Sequence, residues 1–133
     1  MTTQRKVYLN GEFVPETEAK ISIYDSALMF GDMVFEMTRS FNKEQFKLRE
    51  HLERLYAGIK ILKIPMTLSI DELEAICHET IKVNDSLFSD SDEHRLMINV
   101  SRGPLGIYSH LFGGEEPTVV VADFPLKWTV ASM

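Results

Sequence analysis

Three short runs of this sequence carry residues that could do chemistry. In the first, Arg49-Glu50-His51-Leu52-Glu53-Arg54-Leu55, His51 and Arg54 lie three apart and so share a helical face beside Leu55. An arginine at the edge of a core is suited to gripping a phosphate bidentately. A rim ion pair of Arg54 with Glu50 or Glu53 accounts for the same spacing. The second run is Phe30-Gly31-Asp32-Met33-Val34-Phe35-Glu36-Met37-Thr38-Arg39. As a strand it puts Val34, Glu36 and Thr38 on one face, and Phe35, Met37 and Arg39 on the other. Aromatics flanking a glycine turn can line a ligand pocket, and an ionised Glu36 in a half-buried strand needs a partner. Core aromatics with an internal Glu–Arg pair are the plainer account. In the third run Arg95 opens a strand and Arg102-Gly103 closes it, ahead of a loop with Tyr108 and His110. Two arginines a strand length apart suit a carboxylate substrate, and ordinary charged strand ends explain them equally well.

Other chemistries find no footing. The sequence has no GxxxxGK[ST], no HExxH and no CxxC pair. His51, His78, His94 and His110 lack metal-ligand spacing, so no metal site is expected, and Cys77 falls in the apolar stripe of a helix as a packing residue. A net charge of −6 argues against nucleic acid as a partner, since phosphate backbones need clustered Lys and Arg. No apolar run approaches the roughly 20 residues that span a bilayer. The N-terminus leads into a strand without an apolar signal core. A single cysteine fits a reducing, cytoplasmic setting.

The elements that must position these residues follow from turn and period signals. Asn10-Gly11 between Lys6–Leu9 and Glu12–Val14 predicts a hairpin. Ile21-Ser22-Ile23 reads as a short strand, and Asp25-Ser26 as the cap of a brief turn ending at Phe30-Gly31-Asp32. Met33–Phe41 is a strand that Asn42-Lys43-Glu44 turns back into Gln45–Leu48. Leu52, Leu55, Ile59 and Leu62 predict a helix over 49–63, ended by Pro65. Ser69-Ile70-Asp71-Glu72 is a capping box for a second helix that fades at Asn84-Asp85. Arg95–Ser101 and Thr118–Phe124 are strands on either side of a glycine-bearing loop. The last stretch, after Pro125, shows no closing element. The fold class expected is α+β: an antiparallel-rich sheet with two main helices packed on one side.

In order along the chain, these blocks resemble the class IV, branched-chain/D-amino-acid aminotransferase family, which uses pyridoxal 5′-phosphate (PLP). The matching segments are Val7–Val14, Ala19–Ile23, Phe30–Glu36, Phe46–Leu55, and Ser101-Arg102-Gly103 with Leu105-Gly106, extended by the Thr118–Ala122 strand. The resemblance implies that residues 1–125 are the family's N-terminal small domain, with 126–133 starting a linker toward an absent large domain. It implies that Arg54 binds the PLP phosphate. Phe30 and Phe35 then line the substrate side-chain pocket, and Arg39 and Arg95 are the arginines of the Glu-x-x-Arg block and of the substrate carboxylate. Tyr108 and His110 belong to the loop that covers the site.

In that family the Schiff-base lysine lies beyond residue 133, so the fragment itself is expected to bind no PLP and to be inactive; Lys127 is out of context for it. The complete enzyme is expected to transaminate branched-chain or other hydrophobic L-amino acids with 2-oxo acids, as a dimer or higher oligomer. The loop Pro104-Leu105-Gly106-Ile107-Tyr108-Ser109-His110 lacks the Arg-x-His trap of D-amino-acid transaminases. A PLP lyase resembling 4-amino-4-deoxychorismate lyase is the enzymatic alternative. A non-catalytic domain that oligomerises through an exposed apolar patch is the other.

Overall fold

A computed structural model describes residues 4–108 and 116–130. Six strands form a single antiparallel sheet: β1 (Lys6–Leu9), β2 (Glu12–Pro15), β3 (Met33–Phe41), β4 (Glu44–Gln45), β5 (His94–Ser101) and β6 (Thr118–Pro125), in the order β2-β1-β6-β5-β3-β4. Two long helices, α2 (Leu48–Leu62) and α3 (Ile70–Asn84), cover one face, while the five-residue α1 (Ser26–Phe30) precedes β3. A last helical turn, α4 (Lys127–Val130), follows β6. This is the expected α+β fold with two main helices on an antiparallel sheet.

The local signals explain most of it. Asn10 and Gly11 adopt φ of 49° and 96°, as the tight β1–β2 turn requires, and pair Leu9 with Glu12. The stripe of α2 buries Leu52, Leu55 and Ile59 against Leu96, Ile98 and Val100 of β5 and Leu73 and Cys77 of α3. Each such burial is worth about 1.5–3 kcal/mol. The capping box is formed: Ser69 accepts from the Glu72 amide and Glu72 accepts from the Ser69 amide. At the far end of α3, buried Asn84 stitches the helix to β1, accepting from the Lys6 amide and donating to the Lys6 carbonyl. Cys77 is fully buried and its thiol pKa is pushed up to about 12 by burial, as a packing residue's should be.

Three expectations are corrected. Ile21–Ile23 is no strand: Ser22 turns the chain, its hydroxyl accepting from the Tyr24 amide and its carbonyl from the Asp25 amide. The strand after the β3 turn ends at Gln45, because Leu48 already opens α2. Residues 127–130 close the described chain with a helical turn where none was expected.

Candidate functional site

The geometry begins with β3. Its burial alternates: Glu36, Thr38 and Ser40 point under the helices, while Phe35 and Phe41 are exposed on the opposite face. Between Met33 and Arg39, β3 pairs only with β5, and β4 joins it just at Ser40 and Phe41. One edge of β3 is therefore free of strand pairing among the described residues, and chemically capable side chains flank it on both faces.

On the helix side, Glu36 is 6% exposed, and its carboxylate is filled by α2. Arg54 donates from Nε and Nη2 to its two oxygens at 2.7 Å each, and His51 Nδ1 lies 2.7 Å from Oε1. His51 and Arg54 do share a face, and the partner that brings them together is Glu36. The rim pairing of Arg54 with Glu50 or Glu53 is not formed, nor is a pair internal to the 30–39 run. The Arg54 hydrogen bond holds Glu36 below the ordinary carboxylate pKa, against the opposing effect of burial. Arg54 itself is 73% exposed, and its Nη1 makes no hydrogen bond among the described residues. Its outer side faces a depression of about 200 Å³ lined by Lys47, Glu50, His51 and Arg54. Lys47, at φ 54°, starts α2 without a side-chain cap, so the first amides of the helix add to the positive character there. A buried carboxylate thus fixes an exposed guanidinium beside Lys47 and His51, with the Glu50 carboxylate as the one opposing charge in the depression. That donor set fits one side of a phosphate.

On the other face, register sets Arg39 directly opposite Arg95, Met37 opposite Met97 and Phe35 opposite Asn99. The Arg39 guanidinium lies 3.8 Å over the Phe41 ring, and its Nε donates to the Ser40 carbonyl. Arg95 Nε is buried without a hydrogen-bond partner among the described residues. Phe30 ends α1 and Gly31 follows at φ 67°, which turns the chain into β3. Phe30 and Phe35 are 65% and 62% exposed, so neither is a core aromatic. Tyr108 stacks on Tyr24 at 4.7 Å. His110 lies outside the described residues. Arg102 is already engaged: it binds Asp32 at 2.6 Å and donates to the Leu62 and Lys63 carbonyls that end α2. Of the two arginines bracketing β5, Arg95 alone remains available.

The predicted residues are thus not gathered into one closed pocket. Arg54 stands on the helix side of β3, and Phe35, Arg39 and Arg95 stand on the uncovered face. Two features escaped sequence reading. An ionised Glu36 needs a partner, and the one it finds lies 18 residues away on α2. Asp25 caps α1 as expected, accepting from the Ala27 amide, but is also a buried hub contacting Ser101 and Thr118. No cluster of metal ligands exists among the described residues.

Residues 33–133 match the family model described as amino-transferase class IV. The branched-chain-amino-acid aminotransferase of Escherichia coli K12 is 34% identical over 131 residues, covering 94% of this chain and 41% of the relative. A solved structure of the Escherichia coli enzyme superimposes with a TM-score of 0.78 at 29% identity, over 94% of this chain and 42% of that one. The T.th. branched-chain amino acid aminotransferase complexed with N-(5′-phosphopyridoxyl)-L-glutamate gives 0.77 at 26% identity, over 96% and 42%. A D-alanine aminotransferase of Staphylococcus haemolyticus is 34% identical over 80 residues, 60% of this chain and 28% of the relative. The chain spans about two fifths of the length of the branched-chain relatives.

Proposed function

This chain belongs to the amino-transferase class IV family, and from that premise we propose that it is the small-domain part of a PLP-dependent aminotransferase acting on branched-chain or other hydrophobic L-amino acids and 2-oxo acids. The observation that carries the reading is the Arg54 guanidinium, held bidentately by buried Glu36 and with no other hydrogen bond among the described residues. PLP, when bound, supplies the electron sink that lets an amino group move between an amino acid and a 2-oxo acid.

This chain's own residues orient and bind. Arg54 takes the cofactor phosphate, with Glu36 fixing its plane so that little orientation entropy is lost on binding. Phe30 and Phe35 form an apolar wall, which favours hydrophobic side chains over polar ones. Arg95, with its buried unpaired Nε, and Arg39 across from it receive a substrate carboxylate. Tyr108, braced on Tyr24, belongs to the covering segment. Lys127, paired with Asp92 at 2.9 Å, is not assigned the proton-moving role. The exposure of Ile23, Leu28, Phe30 and Phe35 is apolar surface that a larger domain would cover.

The test is amino transfer from L-leucine, L-isoleucine or L-valine to a 2-oxo acid by the protein encoded by the complete reading frame, alongside a PLP titration of residues 1–133. Transfer by the former and no visible absorbance band in the latter are expected. Pyruvate release from 4-amino-4-deoxychorismate without amino transfer would replace this reading with the lyase. Inactivity of the complete product with every amino acid would leave the non-catalytic domain.

A further inference from the structure

Asp25, the residue before α1, is 1% exposed. A carboxylate buried that deeply is costly unless its oxygens are engaged, and these are. Oδ1 accepts from the Ala27 amide at 2.9 Å and from the Ser101 hydroxyl at 2.6 Å, and Oδ2 accepts from the Thr118 hydroxyl at 2.5 Å. Those donors come from three separate places: the first turn of α1, the last residue of β5 and the first residue of β6. Backbone contacts run along the same lines. The Ser26 amide donates to the Gly103 carbonyl at 3.0 Å, and Asp25 forms an isolated bridge with Pro104. Ser101 Oγ in turn accepts from the Gly103 amide.

Both ends of the segment between β5 and β6 therefore converge on one carboxylate, together with the helix that carries Phe30. One residue before Asp25, Tyr24 stacks on Tyr108 of that same segment. Capping a five-residue helix needs a single acceptor oxygen, which serine or asparagine provides. A second oxygen aimed at a hydroxyl from another strand end does something capping does not require: it ties that strand to the helix.

We propose that Asp25 is a positioning residue of the candidate site, a buried tie that makes the Phe30 wall and the Tyr108 segment hold their places together. It acts on substrate through Phe30 and Tyr108 and does not touch it. The functional half of this inference rests on the aminotransferase reading; the mechanical half does not.

Two substitutions test it. Asp25→Asn keeps a capping oxygen but offers one acceptor to two hydroxyls. Thr118→Val leaves the cap and the Ser101 contact intact and releases only the β6 end. In the chain of residues 1–133, ring-to-ring NMR contacts between Tyr24 and Tyr108 are expected to be present, and to weaken in both variants while far-UV circular dichroism and cooperative unfolding persist. In the PLP-loaded complete enzyme, KM for a hydrophobic amino acid should rise about three- to tenfold in either variant, because the loosened Phe30 wall and Tyr108 must be reordered on binding, with kcat within about twofold. A purely structural role would instead lower the yield of active enzyme and leave KM alone. Unchanged ring contacts and unchanged KM in folded Thr118→Val overturn the proposal, even where Asp25→Asn fails to fold. If the unsubstituted complete enzyme transfers no amino group, the aminotransferase reading fails, and the ring contacts alone decide the tie.

Discussion

Arg39 on β3 and Arg95 on β5 are direct cross-strand partners on the uncovered face of the sheet, and neither forms a salt bridge among the described residues. Like charges placed opposite each other weaken a sheet. Stacking of Arg39 on Phe41 relieves part of the repulsion, but the Arg95 Nε stays buried and without a partner among the described residues. An anion between the two guanidinium groups would satisfy both.

Arg95→Gln is therefore expected to leave stability unchanged or raise it by up to about 1 kcal/mol, through the lost repulsion. On the proposed aminotransferase function, the same change in the complete protein should raise KM for the 2-oxo acid about tenfold or more. Thermal melts of the chain and steady-state kinetics of the enzyme read the two effects separately. Destabilisation together with an unchanged KM would show that Arg95 is a structural residue.

Glu36→Gln breaks the bidentate grip on Arg54 and turns an amide N–H toward the guanidinium. It should lower the denaturation midpoint at neutral pH and weaken the response of the Arg54 Nε resonance to added inorganic phosphate. The pH dependence has a definite sign. The Glu36 pKa is lowered in the folded chain, chiefly by its hydrogen bonds from Arg54. Its contribution is thus full above the ordinary value of 4.5 and is lost as pH falls through the lower folded value. The gap between the parent chain and Glu36→Gln should be widest at neutral pH and should shrink in acid. A gap independent of pH would mean that the charge of Glu36 contributes nothing.

How much of this was legible in the sequence depends on the range of each interaction. The Asn10-Gly11 turn, the Ser69–Glu72 box and the α2 stripe rest on contacts within a few residues; the first two formed as read, and the stripe buries Leu52, Leu55 and Ile59 but leaves Leu62, at the helix end, exposed. Ile21–Ile23 has the alternation of a strand but finds no strand to pair with, and the Ser22 turn prevails. The face assignment of β3 was also correct, because period two is local. What local pattern does not encode is which buried carboxylate meets which cation. Glu36 finds Arg54 on α2, and Asp25 finds Ser101 and Thr118, 76 and 93 residues away. Family resemblance assigned Arg54 a role, but only the fold shows what holds it.

His94 is another of the buried titratable residues, fully enclosed and stacked on Phe88 at 3.8 Å. Its Nδ1 meets the Asp123 carboxylate at 2.8 Å, and Nε2 lies 3.3 Å from Asp85. Burial opposes the imidazolium, yet the hydrogen bond and charge of Asp123, with Asp85, outweigh it and raise the His94 pKa. A raised folded pKa gives stability that is full below the ordinary value of 6.5 and is lost as pH rises through the folded value. Asp123→Asn should therefore destabilise the chain more at slightly acid than at alkaline pH. Urea midpoints measured across that range check it, and a penalty that grows with pH would contradict the pairing.

Gly103 joins the end of β5 to the loop at φ 83°, a left-handed conformation that disfavours any residue with a Cβ. Space is as restrictive as conformation there, because a Cβ would run into the Glu116 carbonyl oxygen. That obstacle is backbone, so no rotamer change relieves it. The Gly103 amide and carbonyl are also committed, to Ser101 Oγ and to the Ser26 amide, which anchor the loop beside Asp25. Gly103→Ala must move either this anchor or the 116–117 backbone, at a cost exceeding the ~1 kcal/mol of an ordinary left-handed alanine. The expected result is a lower melting temperature together with loss of the Ser26–Gly103 amide protection in hydrogen exchange, while protection of the β3–β5 ladder persists. Equal loss of protection across the whole sheet would show that this corner is integral to the global fold and not a separable joint.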